Sequence, residues 1–154
     1  MTRVYRCSLP YSVCIVISLD GVVTPGLGQG AYFMSLPWVK DAVRRLIGFT
    51  PYPGTLNVRL DAGAAGVWRR IREGPAIVLA PPPPETCGAR LFGAVVGADV
   101  ESAIIVPDVT RYGDELLELI AAVHLRGRLD LRDHDRVTLR LRNQTRLLSH
   151  RGST

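Results

Sequence analysis

The chain has 154 residues, 47% of them hydrophobic, and a formal net charge of +5 that rests on arginine, Lys40 being its only lysine. One domain of that length buries about two-thirds of its unfolded surface, and the apolar share excludes a disordered chain. The single lysine excludes a Walker A loop, no apolar run is long enough for a membrane span, and Cys7, Cys14 and Cys87, odd in number and without CxxC spacing, exclude a zinc site and a disulfide framework.

Residues 13–18 (VCIVIS) are a β-branched run that reads as a strand. The run follows Arg3 and Arg6 as a signal-peptide core would, but Asp20 and Gly21 interrupt it and no small-residue cleavage site follows. A strand in a protein of the reducing cytoplasm is the expectation. Next come Gly26, Gly28 and Gly30 in GLGQGA, where glycines can take positive φ and let backbone N–H groups approach an anion closely. That makes the loop a phosphate-cradle candidate. Its spacing does not fit the dinucleotide fingerprint, which needs two residues between its second and third glycines. Residues 31–36 are expected to form a strand. Pro37 then opens a helix with Val39, Val43, Leu46 and Ile47 on one face, and Gly48 is placed to cap its end.

In TLNVRL, residues 55–60, polar and apolar positions alternate, so a strand here buries Leu56, Val58 and Leu60 and turns Thr55 and Asn57 to the other face. Two hard oxygen donors side by side suit magnesium, which takes few protein ligands and completes its shell with water and phosphate. The plainer alternative is a pair of turn-end residues bonded to nearby backbone. A helical turn is expected around Val67, Trp68 and Ile71, and further strands at 76–80, 90–96, 102–106 and 136–141, with proline-rich 81–84 a stiff connection. Asp114 reads as the N-cap of a second helix that buries Leu116, Leu117 and Ile120 and sets Glu115 and Glu118 on one face. Many short strands suggest a small closed barrel or a sandwich.

The run GLGQGAYFMSLP followed by GFTPYPGTLNV resembles the archaeal CTP-dependent riboflavin kinases, and the similarity continues in IIVPDVT, ELLELIA and HLRGRLDLRDHDRV, over about residues 20–142. The resemblance implies a mainly β fold with short helices, a six-stranded cradle-loop (riboflavin-kinase-like) barrel in a single domain over 1–143, with 144–154 a basic C-terminal tail. It also implies the activity: transfer of the γ-phosphate of CTP to riboflavin, giving FMN and CDP, with Mg2+ as cofactor. Partners are then riboflavin/FMN and CTP/CDP, with no membrane, and the chain is expected to be a cytoplasmic monomer.

Carried over residue by residue, the resemblance gives nucleotide contacts to Gly26, Leu27, Gly28, Gln29, Gly30 and Ala31, and to Val123, His124, Leu125 and Arg126. Thr55 and Asn57 are its metal ligands, and Thr110 and Glu118 its flavin contacts. The sequence departs from the family at Gln29 and Gly127, where glutamate is common, at Ala31, where some members carry a basic residue, and at His124, where a lysine is usual. In the turn LRDHDRV, His134 stands where glycine is usual. No carboxylate is singled out as general base, and Glu118 and Glu115 are the candidates. Tyr32, Phe33, Tyr52 and Tyr112 either flank the isoalloxazine ring or belong to the core. Two rival readings remain: a non-catalytic flavin or nucleotide sensor, and an RNA-binding module built on Arg136, Arg140, Arg142 and Arg146. Nucleic acid is disfavoured because no aromatic residues interleave with those arginines.

Overall fold

The computed structural model describes residues 2–6, 13–26, 29–110 and 113–143, with 2–6, 13–15, 29, 142 and 143 described by their backbone alone. Among the described residues the strands are β1 (Thr2–Arg6), β2 (Val13–Thr24), β3 (Leu56–Leu60), β4 (Ile77–Leu79), β5 (Ala89–Val96), β6 (Val100–Pro107), β7 (Leu116–Ala121) and β8 (Arg136–Asn143). Six of them close into an antiparallel ring in the order β2, β3, β7, β6, β5, β8 and back to β2, while β1 and β4 hang outside it on β2 and β5. The length of β2 makes the closure possible. One of its edges carries β8 from Ile15 to Val22, and the other carries β1 at 13–17 and then β3 at 21–24.

Alternation along each strand sorts the side chains into two cores. Leu19, Val23, Leu56, Val58, Leu117, Leu119 and Leu139 fill the barrel. The helix α3 (Ala62–Arg72) packs on this core through Trp68, whose ring meets Phe92 edge-on at 5.0 Å. On the outer face, α1 (Gln29–Ser35) and α2 (Pro37–Ile47) lay Phe33, Met34, Val39 and Val43 over Leu91, Ala103, Ile105 and Ile120. As expected, Pro37 opens α2, and Gly48 ends it at φ 86° with its N–H on the Arg44 carbonyl at 3.0 Å.

Two elements differ from their sequence reading. The segment 31–36 belongs to helix α1, because Gly30, Phe33 and Met34 are its buried residues and that i, i+3, i+4 spacing belongs to a helix. The supposed helix after Asp114 is strand β7, in which Leu117, Leu119 and Ala121 point into the barrel and Glu118 and Ile120 out of it. Leucine favours helices, but pairing on both edges of β7, with β3 and with β6, outweighs a propensity worth only tenths of a kcal/mol per residue. Glu115 and Glu118 therefore share no helix face. Glu115 is exposed in the turn before β7, and Glu118 is buried within it. The expected tail lies outside the described residues.

Candidate functional site

Thr55 and Asn57 are half-buried and alternate with buried Leu56 and Val58, so both side chains leave the barrel core on its outer side. Antiparallel register sets Asn57 between Thr24 of β2 and Glu118 of β7. The glycines close over this row. A Cβ at Gly26 would collide with the Asn57 amide, and one at Gly30 would stand 2.6 Å from Thr55 Oγ1 and 2.8 Å from Glu118 Oε1. Neither glycine has a φ in the left-handed region. What the chain needs at both positions is the absence of a side chain, so the dihedral part of the sequence reading is corrected for them. Leu27 and Gly28 lie outside the described residues, Gln29 opens α1, and Ala31 is exposed.

Glu118 is 4% exposed. Burial pushes its carboxyl above the ordinary carboxylate range, and the Gly30 N–H that hydrogen-bonds to it pulls the other way. The site therefore holds a carboxyl with raised proton affinity next to two neutral oxygen donors. No group of three His, Cys, Asp or Glu side chains stands together among the described residues. A cation here would be held by Thr55 and Asn57, and that sparse hard-oxygen set fits magnesium carrying waters and phosphate oxygens.

Two cavities flank this point. The first, of about 250 Å³, is lined by Tyr52, Thr55, Val123, His124, Leu125 and Arg126 among others, so the segment 123–126 and the Thr55 hydroxyl share one space. The His124 ring lies on Tyr52 with centroids 5.0 Å apart and planes 35° from parallel. Arg126 is held at the rim by Asp133 at 2.7 Å. The second cavity, of about 20 Å³, brings Thr110 and Glu118 together with Trp68, Arg72 and Gly113. That is room for about one water, so it marks where polar groups converge and not the footprint of a ring system.

Other expectations fall elsewhere. Glu115 lines neither cavity. Phe33 is core, edge-on to Trp38 at 5.9 Å, and Tyr32 is 70% exposed. Tyr52 belongs to the first cavity with His124, and Tyr112 lies outside the described residues. Of the arginines considered for RNA, the two whose side chains are described are occupied: Arg136 pairs with Asp61, and Arg140 donates to the carbonyls of Gly97 and Ala98. The Arg142 side chain and Arg146 are outside the described residues. Sequence reasoning missed Arg69 and Arg72 and read Asp114 as a helix N-cap, a role it does not have because a strand follows it. Both arginines bind the Asp114 carboxylate, a contact across more than 40 residues that no local pattern announces. No helix among the described residues is long and apolar enough to cross a membrane.

A family model described as "Domain of unknown function DUF120", with the label CTP-dep_RFKase, matches residues 23–141. The chain is 39% identical over 138 residues to a riboflavin kinase of Pyrobaculum islandicum, an alignment covering 86% of this chain and 64% of that one. It is 41% identical over 144 residues to a riboflavin kinase of Pyrobaculum calidifontis, covering 90% and 66%. With one of Methanosarcina acetivorans the figures are 36% over 134 residues, covering 84% and 55%. The chain thus spans between 55% and 66% of the length of these curated relatives.

Proposed function

The chain belongs to the family of CTP-dependent riboflavin kinases, and from that premise we propose that it transfers the γ-phosphoryl group of CTP to the terminal ribityl hydroxyl of riboflavin. One observation carries the reading: Thr55 of the first cavity and Glu118 of the second both touch the same point beside Gly30. A donor held in the larger space and an acceptor hydroxyl held near Glu118 would lie on either side of that tight contact.

In this reading residues 123–126 take the cytidine and the backbone from Gly26 to Ala31 lies along the phosphates. Thr55 and Asn57 hold magnesium, whose charge offsets that of the phosphates. Thr110 and Glu118 hold the acceptor. The hydroxyl oxygen bonds to the γ-phosphorus, the bond from that phosphorus to the β,γ-bridging oxygen breaks, and CDP leaves with the electron pair. The hydroxyl proton goes to the Glu118 carboxylate, whose raised proton affinity suits it to accept. Most of the rate comes from alignment and charge neutralisation. We read the protein as a cytoplasmic monomer, in keeping with its odd, unpatterned cysteines.

The test is to incubate the protein with riboflavin, Mg2+ and each of the four nucleoside triphosphates and to follow FMN by chromatography. FMN formed with CTP supports the reading. Flavin binding with no FMN from any nucleotide overturns it and leaves a sensor.

A further inference from the structure

We propose that Asp114 is a positioning residue for the acceptor substrate: gripped by Arg69 and Arg72, it holds Arg72 and the turn that leads into β7 against the space that Thr110 and Glu118 line. The inference rests on the reading that Thr110 and Glu118 hold the acceptor. Arg69 Nε donates to Asp114 Oδ2 at 2.8 Å and Arg72 Nη1 to Oδ1 at 2.5 Å, so each carboxylate oxygen is taken by its own arginine. The two arginines are three residues apart on α3 and close on Asp114 like a clamp.

The base of the clamp is rigid. Trp68, beside Arg69, is 1% exposed in the barrel core. The Arg90 guanidinium donates to the Arg72 carbonyl and lies over the Phe92 ring at 5.4 Å, tying the end of α3 to β5. The chain leaving β6 is also pinned, where Asp108 N–H donates to the Gly88 carbonyl at 3.0 Å and Gly88 N–H to the Asp108 carboxylate at 3.2 Å. Beside Asp114, Leu60 N–H donates to the Glu115 carbonyl at 2.6 Å. Thr110 stands two residues after the first of these anchors. Arg72 also lines the cavity, with its side chain 25% exposed and that of Asp114 29% exposed. An isolated exposed ion pair adds little to stability. A double, part-buried grip at the edge of a ligand space restrains geometry instead, and the Arg69 hydrogen bond keeps Asp114 below the ordinary carboxylate range and so charged.

The experiment uses the full chain carrying Asp114→Ala or Asp114→Glu. It measures KM for riboflavin and for CTP separately, FMN affinity by quenching of flavin fluorescence, and Tm. Asp114→Ala is expected to raise the riboflavin KM and the FMN Kd about tenfold, with the CTP KM changed less than about twofold, because only acceptor placement is lost. Asp114→Glu, which retains the charge, is expected to recover most of the affinity. Equal shifts in both KM values, or none in either, overturn the clamp. If the native protein makes no FMN with any nucleotide, the kinase reading fails by itself and FMN affinity decides the clamp: an unchanged Kd in Asp114→Ala, or no flavin binding by the native chain, overturns it.

Discussion

Asn57 and Glu118 are cross-strand partners on β3 and β7, so a neutral amide and a buried carboxyl stand side by side on the outer face of the barrel. Such a pair adds little to the fold: its polar atoms leave the core, and burial works against the charged form of Glu118. Chemistry at this row is therefore separable from stability, and the predictions use that separation.

Asn57→Ala and Thr55→Ala should each lower kcat/KM by about a hundredfold, the scale seen when one electrostatic support of a transition state is removed. Tm should stay within about 4 °C, since both side chains are half-buried and lie outside the barrel core. Turnover assays and thermal melts of the same preparations check this. Normal turnover in Asn57→Ala would remove the metal assignment.

Two glycines should respond in opposite ways to alanine. At Gly30 the new Cβ enters the space between Thr55 Oγ1 and Glu118 Oε1, so activity should fall steeply with a modest loss of stability. At Gly21 it meets the Arg59 carbonyl and the Val58 side chain in the β2–β3 seam, so stability should fall by about 1–3 kcal/mol. Activity measured well below the melting point distinguishes them. A Gly30→Ala protein with native kinetics would show that nothing reacts at that point.

Glu118→Gln should melt higher than the native protein at pH 7 while losing activity. The folded-state pKa of Glu118 is raised, so between the ordinary 4.5 and the raised value the native state holds a proton the unfolded chain has released, and stability falls as pH rises through that window. The amide escapes that loss. The gap in Tm should therefore shrink toward zero as pH falls below 4.5, and a gap constant with pH would mean that burial of the charge is not its source.

The parts legible in the sequence were those with a short period. Thr55 and Asn57 could be placed outside the core because Leu56, Val58 and Leu60 alternate with them. The Pro37 and Gly48 ends of α2 follow from one-residue rules. The errors came where a local pattern has two solutions. Residues 116–121 are leucine-rich enough for a helix and become a strand only because β3 and β6 are waiting on either side. Phe33 and Met34 are adjacent, which suits neither strand face alone, and burial of Gly30 with them reveals the helix. His134, at the position where the resemblance to cradle-loop turns implies glycine, takes φ 73°, a left-handed conformation that glycine adopts without cost. The Asp114 clamp joins residues too distant for any window to see.

CTP should be the preferred donor, with some use of ATP. The resemblance implies lysine and glutamate at the positions where this sequence carries His124 and Gly127, and each missing partner lowers the cost of admitting the wrong base. A Cβ at Gly127 would stand 3.0 Å from His124 Nδ1, so Gly127→Glu alone should push the ring off Tyr52 and weaken nucleotide binding. His124→Lys with Gly127→Glu should raise the CTP-over-ATP ratio in kcat/KM about fivefold, the worth of one net hydrogen bond. A native enzyme that ignores ATP, or a double variant with an unchanged ratio, would place base reading elsewhere.

The long pairing of β2 with β8 has a consequence for how the chain comes into being. β2 is made more than a hundred residues before β8, with Ile15 meeting Asn143 and Val22 meeting Arg136. The ring stays open until synthesis has passed β8, and the edges of β2 and β5 that β8 covers wait unpaired through that time. Pairing across so much intervening chain is slow, and open strand edges recruit one another between molecules. A chain cut short before residue 136 lacks the strand that seals both edges, which makes synthesis of β8 the event that separates a folded barrel from an aggregate.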